Sequence, residues 1–160
     1  MSGASIVRGD ALHLPLGDET VDCIITSPPY FALRSYQDGG EHYDGQIGSE
    51  PTPTAFLEAL WAVTAECRRV LKPSGSLWVN LGDKYASAGG FNDGTGKNGP
   101  LNDAGRTGGV VRRLPPGIPN KSLMLLPQRY AIGCIDQLGL ICRAEVIWSK
   151  PNGLPESVTD

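Results

Sequence analysis

The chain has 160 residues, of which 40% are hydrophobic and 19% are charged, a balance typical of one globular domain with a hydrophobic core. It shows neither an apolar run of membrane-spanning length nor an amino-terminal signal peptide, so we expect a cytoplasmic protein. The net charge of −3 does not by itself indicate nucleic-acid binding, although a local basic surface can coexist with an acidic remainder.

Two strand signals open the chain. The first is brief, covers residues 5–8, and ends at Gly9-Asp10. An ordinary turn or helix-cap aspartate explains Asp10 when it is taken alone. The second signal, residues 21–25, is a short apolar run with three β-branched residues, and it predicts a buried strand.

That second strand stops at Ser27-Pro28-Pro29-Tyr30. Two prolines fix φ and donate no hydrogen bond, so the chain must leave the sheet in a stiff, extended turn. Such turns at the carboxyl ends of strands are where open α/β sheets build ligand sites. The Ser27 hydroxyl and the Pro28 carbonyl can accept hydrogens from an amino group while Tyr30 stacks on the ring that carries it. A simple strand end, with Tyr30 packed in the core, explains the four residues equally well.

A helix and a strand follow a polar segment at residues 31–52, which we expect to be an ordered loop over the site or a mobile lid. Thr54 is the predicted amino-terminal cap, and apolar residues between 56 and 71 keep to one helical face. The helix is predicted to end at residues 72–75, Lys-Pro-Ser-Gly, and a strand to span residues 76–81.

The order strand, helix, strand predicts two adjacent parallel strands, because a crossover connection joins strands of the same direction. We therefore expect an α/β fold. Asn80 lies near the end of the second of these strands, and Asp83 and Lys84 follow it, so all three should emerge at the same edge of the sheet as Ser27.

Residues 86–121 change character, being rich in glycine and carrying more basic than acidic side chains. We interpret them as a flexible insertion that contacts DNA phosphates, or as a plain disordered insertion. Arg34, in the polar loop, can likewise pair with phosphate or simply be solvated. The basic residues that we assign to DNA binding are Arg34, Lys97, Arg106, Arg112, Arg113 and Lys150.

The last predicted elements are a largely buried helix and a strand. The helix starts after Ser122 and ends at Gly139, and the strand covers residues 140–148. Four separated cysteines in apolar segments are predicted to be reduced and buried: Cys23, Cys67, Cys134 and Cys142. With only two histidines, His13 and His42, we expect no zinc site.

Four blocks of this sequence resemble the β group of DNA amino-methyltransferases. They are Gly9-Asp10, residues 26–30 (Thr-Ser-Pro-Pro-Tyr), residues 71–79 (Leu-Lys-Pro-Ser-Gly-Ser-Leu-Trp-Val) and residues 147–152 (Ile-Trp-Ser-Lys-Pro-Asn). The resemblance implies part of a Rossmann-like class I methyltransferase sheet with mostly parallel strands. It also implies S-adenosylmethionine as methyl donor and double-stranded DNA as partner, with the methyl group going to an exocyclic amino nitrogen of a flipped base.

The resemblance also assigns roles. Ser27, Pro28, Pro29 and Tyr30 form the catalytic set, in which Ser27 and the Pro28 carbonyl hold the amino group and Tyr30 stacks on the base. The implied cofactor contacts are Asp10 and Thr26. Serine as the first residue of the Ser-Pro-Pro-Tyr motif favours cytosine N4 over adenine N6, although a hydroxyl suits either base.

One block of the family is absent, a strand that enters a Phe-x-Gly-x-Gly cofactor turn. In the permuted order it follows the target-recognition region, so we expect residues 1–160 to be the catalytic part of a methyltransferase domain that lacks both. The partner would then be a missing carboxyl-terminal segment that supplies the cofactor loop. The alternatives are an inactive DNA-binding remnant and an enzyme that methylates RNA or a protein amide.

Overall fold

The structure is a computed structural model, and it describes residues 3–32, 37–38, 41–42, 45–86 and 117–151. Its elements in chain order are β1 (Val21–Thr26), β2 (Gln37–Asp38), β3 (Glu41–His42), α1 (Pro53–Val70), β4 (Leu71–Val79) and α2 (Leu126–Asp136). Strands β1 and β4 pair in parallel, and β2 and β3 form a short antiparallel pair. The parallel pair joined through α1 confirms the predicted α/β class.

The boundaries of α1 and β4 differ from the prediction. Thr52, not Thr54, caps α1, because its Oγ1 accepts the Ala55 N–H at 3.1 Å. The helix ends at Val70, and β4 begins at the next residue instead of at Ser76. Residues 72–75, which were predicted to end the helix, belong to β4, so no loop separates the helix from the strand.

An irregularity in β4 accommodates the Lys-Pro-Ser-Gly segment. Val21 pairs with Leu71 and Cys23 with Ser76, so four residues of β4 lie opposite a single residue of β1. The extra residues bulge out of the ladder, which suits a proline that has no N–H to donate.

Two predicted strands, at residues 5–8 and 140–148, are wrong. In the described part of the chain neither segment pairs with a neighbour, and their apolar side chains are exposed: Ile6, Val7, Ile141, Val146, Ile147 and Trp148. An extended segment becomes a strand only when its backbone groups find partners, so a strand-like pattern alone is not sufficient.

The burial predicted for β1 is also wrong in part. Ile24 and Thr26 are half-buried, whereas Cys23 and Ile25 on the opposite face are exposed. All four cysteines are free, but Cys142 is exposed as well, and only Cys67 and Cys134 are buried. Burial raises the pKa of both buried thiols, which keeps them protonated.

The core lies between the helices and one face of the parallel pair. Its buried residues are Phe31, Phe56, Leu57, Leu60, Ala86, Met124, Leu126, Tyr130 and Cys134. At the contact between α1 and α2, the Trp61 Nε1–H donates to the Tyr130 carbonyl at 3.0 Å. The Thr64 and Tyr130 hydroxyls lie 2.6 Å apart. Trp61 also lies directly over Gly133, so the two helices approach closely.

A charged network fastens the segment before β1 to α1. Arg69 pairs with Glu66 and Asp18 and also donates to the Leu14 and Leu16 carbonyls. Glu66 accepts the Leu14 N–H at 2.8 Å. The hydrogen bond from Arg69 is the main reason that the pKa of Glu66 falls from 4.5 to about 2.

Acid should therefore weaken the fold through Glu66. Its pKa is lower in the folded chain, so the unfolded chain binds the proton first as the pH falls. The stabilisation is present above pH 4.5 and is lost as the pH falls toward about 2. We expect the midpoint of urea denaturation to decrease over this window, and Glu66→Gln to flatten that part of the profile. An identical slope in Glu66→Gln would contradict the assignment.

Candidate active site

Strands β1 and β4 end side by side. Thr26 is paired with Val79, and the Asn80 N–H donates to the Thr26 carbonyl at 2.9 Å. The chain after Thr26 and the chain after Asn80 therefore leave the sheet at one edge, which is the edge where parallel sheets bind ligands.

The Ser-Pro-Pro-Tyr turn is neither buried nor fully exposed. Ser27 is exposed, while Pro28, Pro29 and Tyr30 are half-buried. The aromatic side chain that enters the core is the next one, Phe31, which is 4% exposed and lies 5.3 Å from Phe56 between ring centroids. Tyr30 thus retains accessible surface, which a stacking role requires.

The Tyr30 ring rests on a glycine of the neighbouring strand end. A Cβ atom at Gly82 would lie 2.8 Å from Tyr30 Cε2 and 3.0 Å from Cδ2, closer than real Cβ contacts. The absence of a side chain at position 82 is what allows the ring to lie against this backbone. Gly82 is a residue that the sequence analysis did not single out.

The backbone of the turn is held from two further directions. The Ala32 N–H donates to the Gly48 carbonyl at 2.8 Å, and Lys84 Nζ donates to the Ala32 carbonyl at 3.2 Å. Gly48 has a φ of +100°, and a Cβ atom there would lie 3.0 Å from the Tyr30 carbonyl oxygen. The turn is therefore preorganised by its surroundings as well as by its prolines.

Asp83 connects this edge to α2. Its Oδ2 accepts the Leu125 N–H and its Oδ1 the Leu126 N–H, each at 3.0 Å. Leu125, the residue at the cap position, makes no side-chain cap bond. The carboxylate therefore satisfies two free N–H groups of the helix and also lies at the positive end of its dipole.

Replacing Asp83 with alanine should lower the free energy of unfolding by about 1 to 2 kcal/mol, the usual cost of losing a helix cap. Asp83→Asn should recover part of that loss, since its amide oxygen can still accept one of the two hydrogens. Urea denaturation followed by circular dichroism measures both. Asp136→Ala, at the other end of α2, is the matched control and should be nearly neutral.

Asp10 lies in a tight turn. Its Oδ1 accepts the Leu12 N–H at 2.9 Å, and the His13 N–H donates to its carbonyl at 3.0 Å. Its Oδ2 lies 3.7 Å from His13 Nδ1, and its side chain is 66% exposed. The turn explains the residue's backbone position, while one carboxylate oxygen remains accessible.

The glycine-rich insertion begins and ends beside the same edge. The Ala86 N–H donates to the Ser122 carbonyl and the Lys121 N–H to the Ala86 carbonyl, each at 2.7 Å. The Met124 N–H donates to the Lys84 carbonyl at 2.9 Å. We call this antiparallel pairing of residues 84–86 with 121–124 the insertion base. It directly follows Asp83.

Of the predicted DNA contacts, only Lys150 belongs to the described residues, and it is exposed. The others lie outside them: Arg34, Lys97, Arg106, Arg112 and Arg113. Across the ranges that are described, no group of three or more His, Cys, Asp or Glu side chains could hold a metal ion. No described helix is long and apolar enough to cross a membrane.

Comparison with known proteins gives consistent matches. The family model N6_N4_Mtase, described as DNA methylase, matches residues 21–160. The chain is 39% identical to Type II methyltransferase M.Cfr9I of Citrobacter freundii and 37% identical to M.SmaI of Serratia marcescens, in each case over 100% of the chain.

It covers only 51% and 52% of those two proteins, so it spans about half the length of these curated relatives. A shorter match, 36% identical over 47% of the chain and 24% of the relative, is to the DNA adenine methyltransferase YhdJ of Escherichia coli. No solved structure matches the chain.

Proposed function

Because the chain belongs to the N6_N4_Mtase family of DNA methylases, we propose that it is the catalytic part of an S-adenosylmethionine-dependent DNA methyltransferase. The observation that carries the proposal is the Ser-Pro-Pro-Tyr turn at the carboxyl edge of a parallel pair, with Tyr30 backed by Gly82. The target is the exocyclic amino group of a base that has left the duplex.

The turn can do two things to such a base. Tyr30 stacks on its ring, which offsets part of the few kcal/mol that unstacking costs. The Ser27 hydroxyl and the Pro28 carbonyl oxygen accept hydrogen bonds from the amino group, and Pro29 fixes the direction of that carbonyl. Acceptors that lie out of the plane of the ring would make the amino nitrogen pyramidal, which frees its lone pair from conjugation and directs it toward the methyl donor. No covalent bond to the enzyme is needed.

The bound cofactor would supply an electrophilic methyl group. Among the described residues, the accessible Asp10 carboxylate oxygen fits a hydroxyl or amino group of the cofactor, and Thr26 lies at the strand end next to the turn. These two residues alone do not make a complete cofactor site. We therefore place the remaining contacts in a part of the relatives that this chain does not represent.

Cytosine N4 is the proposed acceptor, because the first residue of the Ser-Pro-Pro-Tyr motif, at position 27, is serine. Adenine N6 is the alternative, since adenine presents the same arrangement of a ring acceptor beside an amino donor. Mass spectrometry of nucleosides from methylated DNA separates the two: N4-methylcytosine supports the proposal, and N6-methyladenine overturns this part of it.

The catalytic assignment is tested by methyl transfer. The chain is combined with the complementary half of M.Cfr9I, labelled cofactor and duplex DNA. Ser27→Ala should lower the rate about a hundredfold, the usual cost of losing a group that stabilises developing charge, and Tyr30→Ala should also impair transfer. Ser74→Ala, an exposed serine in the β4 bulge, is the matched control. Full activity in both variants would refute the proposed chemistry.

An inactive DNA-binding remnant is the second candidate, favoured by the half-length match to the relatives. Methylation by the 160 residues alone would exclude it. Methylation of RNA or of a protein amide is a third, and a panel of DNA, RNA and protein substrates under the same conditions distinguishes it.

DNA contact by the insertion is part of the proposal. Its base lies beside the proposed catalytic turn, and its sequence carries Lys97, Arg106, Arg112 and Arg113; Arg34 and Lys150 are assigned the same role. Replacing these four insertion residues with alanine should weaken DNA binding. The plot of log K against log salt concentration should become less steep, by about 0.9 for each phosphate contact that is lost and for up to four contacts. An unchanged slope would exclude them as phosphate contacts.

A further inference from the structure

One face of the parallel pair keeps a regular alternation of exposed side chains up to the carboxyl edge. Ile25 is paired with Trp78, and both side chains are exposed. Two residues further along each strand lie Ser27 and Asn80, and both are again exposed. Since alternate residues of a strand point to the same face, Ser27 and Asn80 leave adjacent strands on one side of the sheet.

The backbone holds these two residues close together. The Asn80 N–H donates to the Thr26 carbonyl at 2.9 Å, so the strands are still joined where the Ser-Pro-Pro-Tyr turn begins. Neighbouring strands lie about 4.8 Å apart. At that spacing the side chains of Ser27 and Asn80 can reach neighbouring atoms of one planar base.

Asn80 differs from the two charged residues that follow β4. The Asp83 carboxylate caps α2, and Lys84 Nζ donates to the Ala32 carbonyl. The Asn80 amide forms no side-chain hydrogen bond within the part of the chain that the structure describes. A side-chain amide carries two donor hydrogens and an acceptor oxygen, so this one is available to a ligand.

We propose that the Asn80 amide donates a hydrogen bond to the ring nitrogen beside the exocyclic amino group of the flipped base, which is N3 in cytosine and N1 in adenine. The inference rests on the proposed function, because it adds a residue to the same site. Ser27 and the Pro28 carbonyl accept from the amino group, and Asn80 donates to the atom next to it. A flipped base has lost the partner that donated to this nitrogen, and an acceptor left without a donor is costly.

A neutral donor suits this position. The amino nitrogen must give electron density to the incoming methyl group, and a cation beside the ring nitrogen would draw that density away. The amide of Asn80 donates a hydrogen without carrying a net charge.

Asn80→Ala should lower kcat/KM for methyl transfer about tenfold, the order expected for one lost hydrogen bond. Asn80→Asp should lose more, because it keeps the shape of the side chain but places an acceptor opposite the acceptor of the base. Transfer is measured with the chain combined with the complementary half of M.Cfr9I, labelled cofactor and duplex DNA. Gln137→Ala, which removes an exposed amide just past the far end of α2, is the matched control and should keep full activity.

A target base without the ring nitrogen separates this contact from a general loss of activity. The analogue is 3-deazacytosine where the product is N4-methylcytosine and 1-deazaadenine where it is N6-methyladenine. Each keeps the amino group and has C–H in place of the ring nitrogen. We expect Asn80→Ala to cost about tenfold on the natural base and less than about twofold on the analogue. A merely structural role of Asn80 would give the same cost on both.

Three results would overturn the inference alone: full activity of Asn80→Ala, full activity of Asn80→Asp, or equal costs on the natural base and the analogue. The proposed function would survive each of them if Ser27→Ala still impaired transfer. No transfer by the unsubstituted mixture, or full transfer by both Ser27→Ala and Tyr30→Ala, would refute the proposed function and this inference with it. Circular dichroism verifies that each variant is folded, which we expect because the Asn80 side chain is exposed.

Discussion

Replacing Gly133 with alanine is expected to lower the free energy of unfolding by about 3 kcal/mol, the upper part of the range for overpacked cores. The added Cβ atom would lie 2.6 Å from Trp61 Nε1 and closer still to two carbons of the indole ring. Trp61 cannot simply swing away, because its N–H donates to the Tyr130 carbonyl. Alanine recovers only about 1 kcal/mol through its better helix propensity, so the clash dominates.

Urea denaturation followed by circular dichroism measures this loss. Gly3→Ala is the matched control, because nothing lies within 4 Å of the position where its Cβ atom would be. In a Trp61→Leu background, Gly133→Ala should cost much less, since the ring that it meets is gone. Equal costs in both backgrounds would show that the indole is not the obstacle.

Replacing Gly82 with alanine should impair the proposed methyl transfer far more than it lowers stability. The new Cβ atom would lie 2.8 Å from Tyr30 Cε2, but the half-exposed ring can move, so the energetic cost to the fold is small. The ring that we propose stacks on the base would be displaced, and a displacement of about 1 Å at a reacting centre can cost about a hundredfold in rate. We expect a loss of that order.

Methyl transfer by the chain combined with the complementary half of M.Cfr9I measures the effect. Gly82→Ala should have no further effect in a Tyr30→Ala background, because the displaced ring is then absent. Gly3→Ala controls for the change of residue type. If Gly82→Ala lowered activity equally with and without the Tyr30 ring, its effect would not pass through that side chain.

The parallel pairing was predictable because it depends on short-range patterns. The strand at residues 21–25 is indicated by five consecutive residues, and α1 by an amphipathic pattern over a few helical turns. The crossover rule then leaves little choice of direction for β4. The end of β1 was likewise readable from Pro28 and Pro29, which cannot continue a ladder.

The exposure of Cys23 and Ile25 on one face of β1 was not predictable in the same way. An apolar residue such as Ile25 suggests that its face of the strand is buried. The local sequence does not show whether other residues of the chain or another polypeptide would bury it. The segment at residues 140–148, which pairs with no strand in the part of the chain that the structure describes, was predicted as a strand for the same reason. A sequence pattern shows that a segment is compatible with a strand, but whether it pairs depends on the neighbouring segments.

The contacts around the Ser-Pro-Pro-Tyr turn were missed because they are remote in sequence. Asp83 caps a helix that starts 43 residues later, and Gly82 supports the Tyr30 ring in the turn after β1. One signal for the cap was available: α2 begins after Leu125, a residue that cannot cap its own helix. When a helix has no local cap, another residue is expected to accept hydrogen bonds from the free N–H groups of its first turn.

The insertion base gives the region between its two flanks considerable evolutionary freedom. Because hydrogen bonds join the flanks at residues 86 and 121–122, the two ends of this segment are held together independently of what lies between them. The entropy of closing such a loop grows with the logarithm of its length, about 0.6 kcal/mol for each doubling. A lineage can therefore lengthen, shorten or exchange this segment at little thermodynamic cost, and so diversify what it touches without altering the turn at Ser27.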